Sequence, residues 1–269
     1  MAITNCLNFG NPKRPDIFWQ FKEAVGGMAE ACTALGTPVT GGNVSLYNES
    51  PIGAVYPTPV IGMVGLVDDI DHATTMTFRA VGDAIVLLGE PTNELGASEY
   101  LSWIHGIVAG APPRCNLVHE RALIETLLET IRGGHVHSAH DCSEGGLAVA
   151  LAECAMSNRE STFGANIDLS AWNMLTLRAL LFGEAQGRAI ISTSAATDVL
   201  AIALRHGVPA QVIGTVQPAR HGLRIVVGDR TIDIPLDGLS DAYHEAIPRA
   251  MRRAPAETVS SELAAGVPS

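Results

Sequence analysis

The sequence predicts a protein of the α/β (α+β) class, in which helices and strands alternate along one chain. Three observations predict this class. Stretches with apolar residues three and four positions apart, typical of amphipathic helices, recur along the chain. Short β-rich runs bounded by glycine and proline lie between them. The chain has 269 residues and is 47% hydrophobic, which suffices for one large core or two medium-sized ones.

Residues 1–78 are predicted to form a first, partial subdomain. The segment MAITNCLNFGNPKRP begins as a strand and becomes a loop. Asp16 is the predicted N-cap of a long helix, and Gly36 fits the end of that helix. TPVTGGNVSLY is predicted to be strand and loop. PTPVIGMVGLV is a further strand, and its almost uninterrupted apolar run predicts that both of its faces are covered.

Residues 79–253 are predicted to form a second, complete α/β subdomain after the polar interval DDIDHATTMTF. GDAIVLLGE is typical of a buried strand, and ERALIETLLETIRGG of an amphipathic helix. VHSAHDCSEGGLAVALAECAM indicates a strand, a polar turn and a helix, with Ser143 and Glu144 as candidate caps. RAIISTS, AQVIGTV and LRIVVGD are predicted strands, with the helix AATDVLAIALRHG after the first. Residues 254–269 are expected to be a loosely held tail.

The composition excludes several classes of function. Lys and Arg number 17 against 28 Asp and Glu, so the net charge is −11 and general attraction to nucleic acid or an anionic membrane is not expected. No membrane span and no signal peptide are predicted. Five scattered cysteines suit a reducing, cytoplasmic location. Charged residues are only 17% of the chain, which suggests surface buried against a partner.

The stretch PVTGGNVSLYN is the first candidate site. The chain lacks the P-loop pattern and the GxGxxG fingerprint, so a nucleotide would be held in another way. Backbone N–H groups near Gly42 could hold a phosphate oxygen, and the amide oxygen of Asn43 could join a magnesium shell. Ser45 would share the face of Asn43 in an extended strand. A plain tight turn with solvated polar residues is the commoner explanation of such a stretch.

Three further stretches carry polar candidates. Asn5, with two other asparagines in TNCLNFGNP, could contact adenine or phosphate, although asparagines more often cap turns. In HDCSEGGLAVALAE, Asp141 could bind a metal and the helix start could attract an anion, but no second carboxylate is close in sequence and a Ser or Asp before a helix is usually just its cap. Glu184 in LFGEAQGRA fits either a turn or the edge of a substrate site.

These stretches together resemble a known family. TNCLNFGNP, GGNVSLYNE, PTPVIGMVGLVDD, GASEYL, HDCSEGGLAVALAE and LFGEAQGR are similar, in this order, to the C-terminal half of the synthetase subunit of phosphoribosylformylglycinamidine synthase, in its small bacterial form. The wider superfamily includes aminoimidazole ribonucleotide synthase. The resemblance extends from Ile3 to about Ile247.

The resemblance implies an aminoimidazole ribonucleotide synthase-like fold and an ATP-dependent ligase of purine biosynthesis that uses Mg2+. In that family ATP activates the formamide oxygen of formylglycinamide ribonucleotide, and ammonia then displaces phosphate to give the amidine. A separate glutaminase subunit supplies the ammonia, and a small subunit bridges the complex. By motif position, the nucleotide contacts correspond to Asn5 and Gly42, the magnesium ligand to Asn43, and the substrate contact to Ser45. Many relatives carry Asp where this chain has Asn5.

The resemblance also implies that this chain is a fragment. The family's catalytic histidine and acidic magnesium ligands lie in an N-terminal half with no counterpart here, so no catalytic residue is assigned. We expect the isolated chain to be inactive and to need that half as a partner. The alternatives are a non-catalytic nucleotide-binding or scaffold module of the same fold, or another ATP-using member of the superfamily.

Overall fold

The computed structural model describes residues 1–252, so the predicted tail at 254–269 lies outside the described residues. The elements of the first part are β1 (Ala2–Asn8), α1 (Pro15–Leu35), β2 (Val39–Ser45), β3 (Glu49–Ser50), β4 (Gly53–Ala54) and β5 (Thr58–Val64). Those of the second part are β6 (Ala84–Leu88), α2 (Glu99–His105), α3 (Leu117–Arg132), β7 (Ser138–Asp141), α4 (Gly146–Met156), β8 (Phe163–Asp168), α5 (Leu177–Phe182), β9 (Ala189–Thr193), α6 (Ala196–His206), β10 (Ala210–Pro218), β11 (Leu223–Val227), β12 (Arg230–Ile234), α7 (Leu236–His244) and α8 (Ala246–Arg252). The mixed α/β class predicted from the sequence is confirmed.

The first part is a three-stranded sheet with one long helix. Its strand order is β2-β1-β5, with β1 parallel to β2 and antiparallel to β5. Leu7, Phe9 and Ile17 form a small core, against which Phe21 and Met28 of α1 pack. The helix ends as predicted at Gly36, whose left-handed φ of 64° lets its N–H reach the carbonyls of the last turn.

The start of α1 differs from the prediction. Arg14 is the N-cap and Pro15 occupies the first turn, so Asp16 is not the cap. Proline is favoured there because its missing N–H would have no helical partner. Asp16 instead pairs with Arg14 at 2.7 Å, and this hydrogen bond lowers the pKa of the Asp16 carboxyl.

The prediction that β5 is covered on both faces is wrong. All seven of its residues are exposed, although the strand is apolar. The reason is its place at the edge of a three-stranded sheet, because none of its residues joins the small core under α1 and no second layer within residues 1–252 covers the other face. An apolar run shows that a strand can be buried, but the covering elements must also be present.

The second part is built on a seven-stranded sheet of order β12-β11-β8-β10-β6-β9-β7. Only β8 and β11 pair in parallel; the other pairs are antiparallel. Alternate residues of β6 enter two cores: Ile85 and Leu87 pack with α4 and α5, whereas Val86 and Leu88 pack with α3 and α6. Helices therefore cover both faces of the sheet around β6.

The two sheets share no strand. We therefore propose that the chain is divided into two subdomains near residue 78, as predicted from the sequence. The interval between β5 and β6 contains only a short 3-10 turn, Ile70–His72. Its last residues already contact the second part: the carbonyl of Thr75 accepts a hydrogen bond from the N–H of Ala139, and Phe78 is buried in the larger core. The linker thus joins the second part before residue 79.

Candidate nucleotide and substrate site

The first candidate stretch lies on β1 and β2, the two parallel strands of the small sheet. Their register pairs Asn5 with Gly42, Cys6 with Asn43 and Asn8 with Ser45. The structure therefore brings the four residues predicted from the sequence onto neighbouring strands, which their separation of about 40 positions does not show. Because alternate residues of a strand face opposite sides, the four candidates fall into two pairs.

Asn5 and Gly42 form the pair on the helix side of the sheet. Asn5 shares its face with Ile3 and Leu7, which are buried. Gly42 has a φ of 154°, and a Cβ atom on it would collide with both the carbonyl oxygen and the side-chain amide of Asn5. Glycine is required here because Asn5 fills the space beside it. At Gly41, by contrast, no atom of the described residues lies within 4 Å of an added Cβ.

Asn43 and Ser45 lie on the opposite, open face. The side chain of Asn43 is exposed and makes no hydrogen bond to other residues in the described range 1–252. Ser45 is fixed more firmly, since its hydroxyl lies 3.2 Å from Oδ1 and 3.1 Å from Nδ2 of Asn48. Asn43 therefore offers a free amide, and Ser45 a hydroxyl already held in place.

The residue that sequence reasoning missed is Asn48. Its Nδ2 donates to the carbonyls of Ser45 at 2.9 Å and Phe9 at 3.2 Å, which ties the end of β2 to the loop after β1. Tyr47, just before it, has a φ of 63°, an uncommon conformation for a residue with a side chain. The close spacing of Ser45 and Asn48 in SLYN was the sequence feature that could have indicated a local side-chain hydrogen bond.

The donor set fits magnesium only in part. The four candidates provide neutral oxygens and no carboxylate, whereas protein-bound Mg2+ usually has one or two carboxylate ligands besides phosphate and water. Within residues 1–252 no cluster of three or more His, Cys, Asp or Glu is arranged to hold a metal. A magnesium ion at Asn43 would need its charged ligands from a bound nucleotide or another chain.

The second candidate stretch, HDCSEGG, joins β7 to α4. Neither Ser143 nor Glu144 caps the helix, because the N-cap is Gly145 and it has no side-chain hydrogen bond. Ser143 instead donates from Oγ to Oδ2 of Asp141 at 2.5 Å. The proposed metal ligand Asp141 is thus exposed but already engaged by a neighbouring hydroxyl.

Burial disfavours chemistry at the neighbouring cysteine. Cys142 is almost fully buried, and this burial raises the pKa of its thiol to about 11. A thiol of that pKa holds little thiolate near neutrality, so Cys142 is a core residue and not a nucleophile.

The mixed sheet with helices on both faces and the polar strand pair define the class of protein only as far as α/β. The family models agree. Residues 80–226 match "AIR synthase related protein, C-terminal domain", and residues 1–67 match the corresponding N-terminal domain. The chain belongs to the AIR synthase related proteins.

Within this family, the chain is similar to PurL proteins. The chain is 46% identical over 256 residues to phosphoribosylformylglycinamidine synthase subunit PurL of Moorella thermoacetica, and 43% identical over 264 residues to that of Symbiobacterium thermophilum. These alignments cover 94% and 93% of this chain but 34% of each relative. The chain therefore spans about a third of the length of the curated relatives it matches. The predicted resemblance to phosphoribosylformylglycinamidine synthase is confirmed.

Solved structures show the same fold. Thermotoga maritima PurL complexed with FGAR superposes with a TM-score of 0.69 at 20% identity and covers all of this chain and 42% of that one. The same protein complexed with ATP gives 0.63 at 20% identity. Escherichia coli HypE, a hydrogenase maturation protein, gives 0.62 at 19% identity over 87% of this chain and 73% of that one.

Proposed function

We propose that this chain supplies one half of an ATP-dependent, amidine-forming ligase site of the PurL kind in purine biosynthesis. The supporting observation is the 43–46% identity to PurL proteins over more than nine tenths of the chain. In the proposed reaction ATP phosphorylates the formamide oxygen of formylglycinamide ribonucleotide. Ammonia, delivered from glutamine by a glutaminase subunit, then attacks that carbon and releases phosphate, leaving the amidine.

The open face of the strand pair would serve both the nucleotide and the substrate. There Asn43 would give one oxygen to the Mg2+ of the nucleotide and Ser45 would contact the substrate. Asn5 and Gly42, whose side-chain positions face the helix, would instead border the nucleotide through the strand backbone. Phosphoryl transfer depends mainly on positioning and charge neutralisation, so small polar groups on rigid strands suit it. The hydrogen bonds of Ser45 to Asn48 support this role, because they fix the hydroxyl in advance.

The proposed partner is the complementary N-terminal half. In the first part β5 and the following loop expose apolar side chains that a second layer would cover: Val60, Ile61, Met63, Val64, Leu66 and Val67. Both outer strands of this sheet also have free edges among the described residues. Apolar surface next to free edges favours association. A small bridging subunit would complete the assembly, and we place the complex in the cytoplasm. No helix in the described range is long and apolar enough to cross a bilayer.

Phosphate release is the decisive assay. The purified chain, with and without a co-expressed PurL N-terminal half, is given formylglycinamide ribonucleotide, ammonia and magnesium-ATP. We expect turnover only in the reconstituted complex. There Asn43→Ala should weaken magnesium-nucleotide binding, Ser45→Ala should mainly raise KM for the substrate, and Asp237→Ala, at an exposed position of α7, should change neither.

Two other outcomes would be informative. Turnover by the isolated chain would refute the requirement for a second half. Binding of magnesium-ATP by calorimetry without turnover in any reconstituted complex would instead favour the scaffold module. Phosphate release and calorimetry together therefore separate an enzyme component from a protein that only holds a nucleotide.

A further inference from the structure

Three loops of the second part meet at one carboxylate. Oε1 of Glu184, in the loop before β9, accepts hydrogen bonds from the N–H of Gly145 and from the N–H of Glu99, each at 2.9 Å. Gly145 precedes α4, and Glu99 is the first residue of α2. One oxygen thus connects segments that are about 40 and 85 positions away in the chain.

Arg188 holds the segment that carries this carboxylate. Its side chain is only 2% exposed. Nη2 donates to the carbonyl of Gly183 at 2.5 Å and Nε donates to the carbonyl of Ala185 at 3.2 Å. These two carbonyls belong to the residues immediately before and after Glu184. The guanidinium therefore fixes the backbone on both sides of Glu184 by hydrogen bonds.

The charge of Arg188 has no carboxylate partner in residues 1–252. Its Nη1 is buried and without a hydrogen-bond partner in that range, and burial lowers the pKa of the guanidinium. A buried cation is costly to maintain for packing alone. The hydrogen bonds of Arg188 instead fix the backbone conformation of residues 183–185.

Close backbone packing supports the same arrangement. A Cβ atom on Gly183 would lie 2.7 Å from the carbonyl oxygen of Glu94, and one on Gly146 would lie 2.6 Å from that of Gly183. The segment is therefore wedged between the loop before α2 and the first turn of α4. Small shifts of the Glu184 backbone would disturb both neighbours.

We propose that Glu184 is a positioning residue that fastens the β7–α4 loop to the start of α2, and that Arg188 fixes Glu184 in this role. The carboxylate occupies the N-terminal end of α4, where an anion is favoured. The β7–α4 loop, with its exposed Asp141–Ser143 pair, is thereby held at one position on the sheet.

The test is site-resolved hydrogen exchange with chemical rescue. In Glu184→Ala the amides of Gly145 and Glu99 should exchange about tenfold faster or more, because a hydrogen bond to a charged group is lost at each. Formate should restore protection and raise Tm in this variant alone, since it returns a carboxylate to the vacated place. Glu144→Ala, an exposed glutamate of the same loop, is the control and should respond to neither.

A second variant guards against misfolding. Glu184→Asp keeps the charge but is one methylene shorter, so at least one of the two amides should lose protection. Arg188→Met should accelerate exchange at the same two amides although Arg188 contacts neither. Unchanged exchange at Gly145 and Glu99 in both Glu184 variants, or equal stabilisation of all variants by formate, would overturn the proposal. None of these readouts depends on ligase activity.

Discussion

Replacing Gly146 by alanine tests how tightly α4 meets its neighbours. Gly146 has a φ of 66°, and an added Cβ would lie 2.6 Å from the carbonyl oxygen of Gly183 and 2.9 Å from the carbonyl carbon of Phe182. Left-handed strain costs about 1–2 kcal/mol and overpacking about 1–3 kcal/mol. Reduced freedom of the unfolded chain offsets about 0.4–1 kcal/mol of this. The expected loss of unfolding free energy is about 1–5 kcal/mol, with a central value of about 3 kcal/mol.

Urea denaturation followed by circular dichroism measures this loss. With an m-value of about 1–3 kcal/mol/M, the midpoint should fall by about 1 M or more. Gly238→Ala in α7 is the matched control, because no atom of residues 1–252 lies within 4 Å of the added Cβ and its φ is not left-handed. Alanine there should stabilise by about 0.5–1 kcal/mol. A neutral or stabilising Gly146→Ala, beside a stabilising control, would show that the backbone contact is not confining.

Three other predictions concern ionised, buried and reactive groups. Hydrogen bonds from His206 and, to a smaller extent, from Arg205 lower the pKa of Glu129. Glu129→Gln should therefore lower the free energy of unfolding at pH values above the usual glutamate pKa, and this loss should disappear as the pH falls through the lowered pKa of Glu129. Urea denaturation at several pH values measures the difference. Cys115 should react with a thiol reagent in the native protein, whereas buried Cys142 should react only on unfolding, and equal native rates would contradict their burial. Arg188→Met should retain more stability than Arg188→Lys in thermal melts, because methionine removes the buried charge that lysine keeps; the opposite order would argue against a costly cation.

The sequence predicted the second part well because its signals are local. The apolar run of β6 and the ends of α3 and α6 follow from periodicity and glycine positions, and the structure has them. Strand β8 was not predicted, since Gly164 and Asn166 interrupt its β-rich pattern although it lies between β10 and β11.

The sequence could not show contacts between residues that are far apart along the chain. The pairing of Asn5 with Gly42 depends on strand register, and the grip of Arg188 on the backbone around Glu184 depends on the packing of three loops. The Asp16 and β5 predictions failed for related reasons. Proline and Arg14 together set the helix start, and the exposure of β5 depends on layers that its own residues do not encode.

The position of β6 has a consequence for synthesis on the ribosome. This strand is almost wholly buried, yet its two sheet neighbours, β9 and β10, lie more than about a hundred residues downstream. At roughly 5–20 residues per second, β6 leaves the ribosome at least about 5 seconds before either neighbour exists. During that interval a fully apolar strand has no partner to pair with. Chaperone capture of nascent chains ending between β6 and β9 should therefore exceed capture of chains that extend past β10.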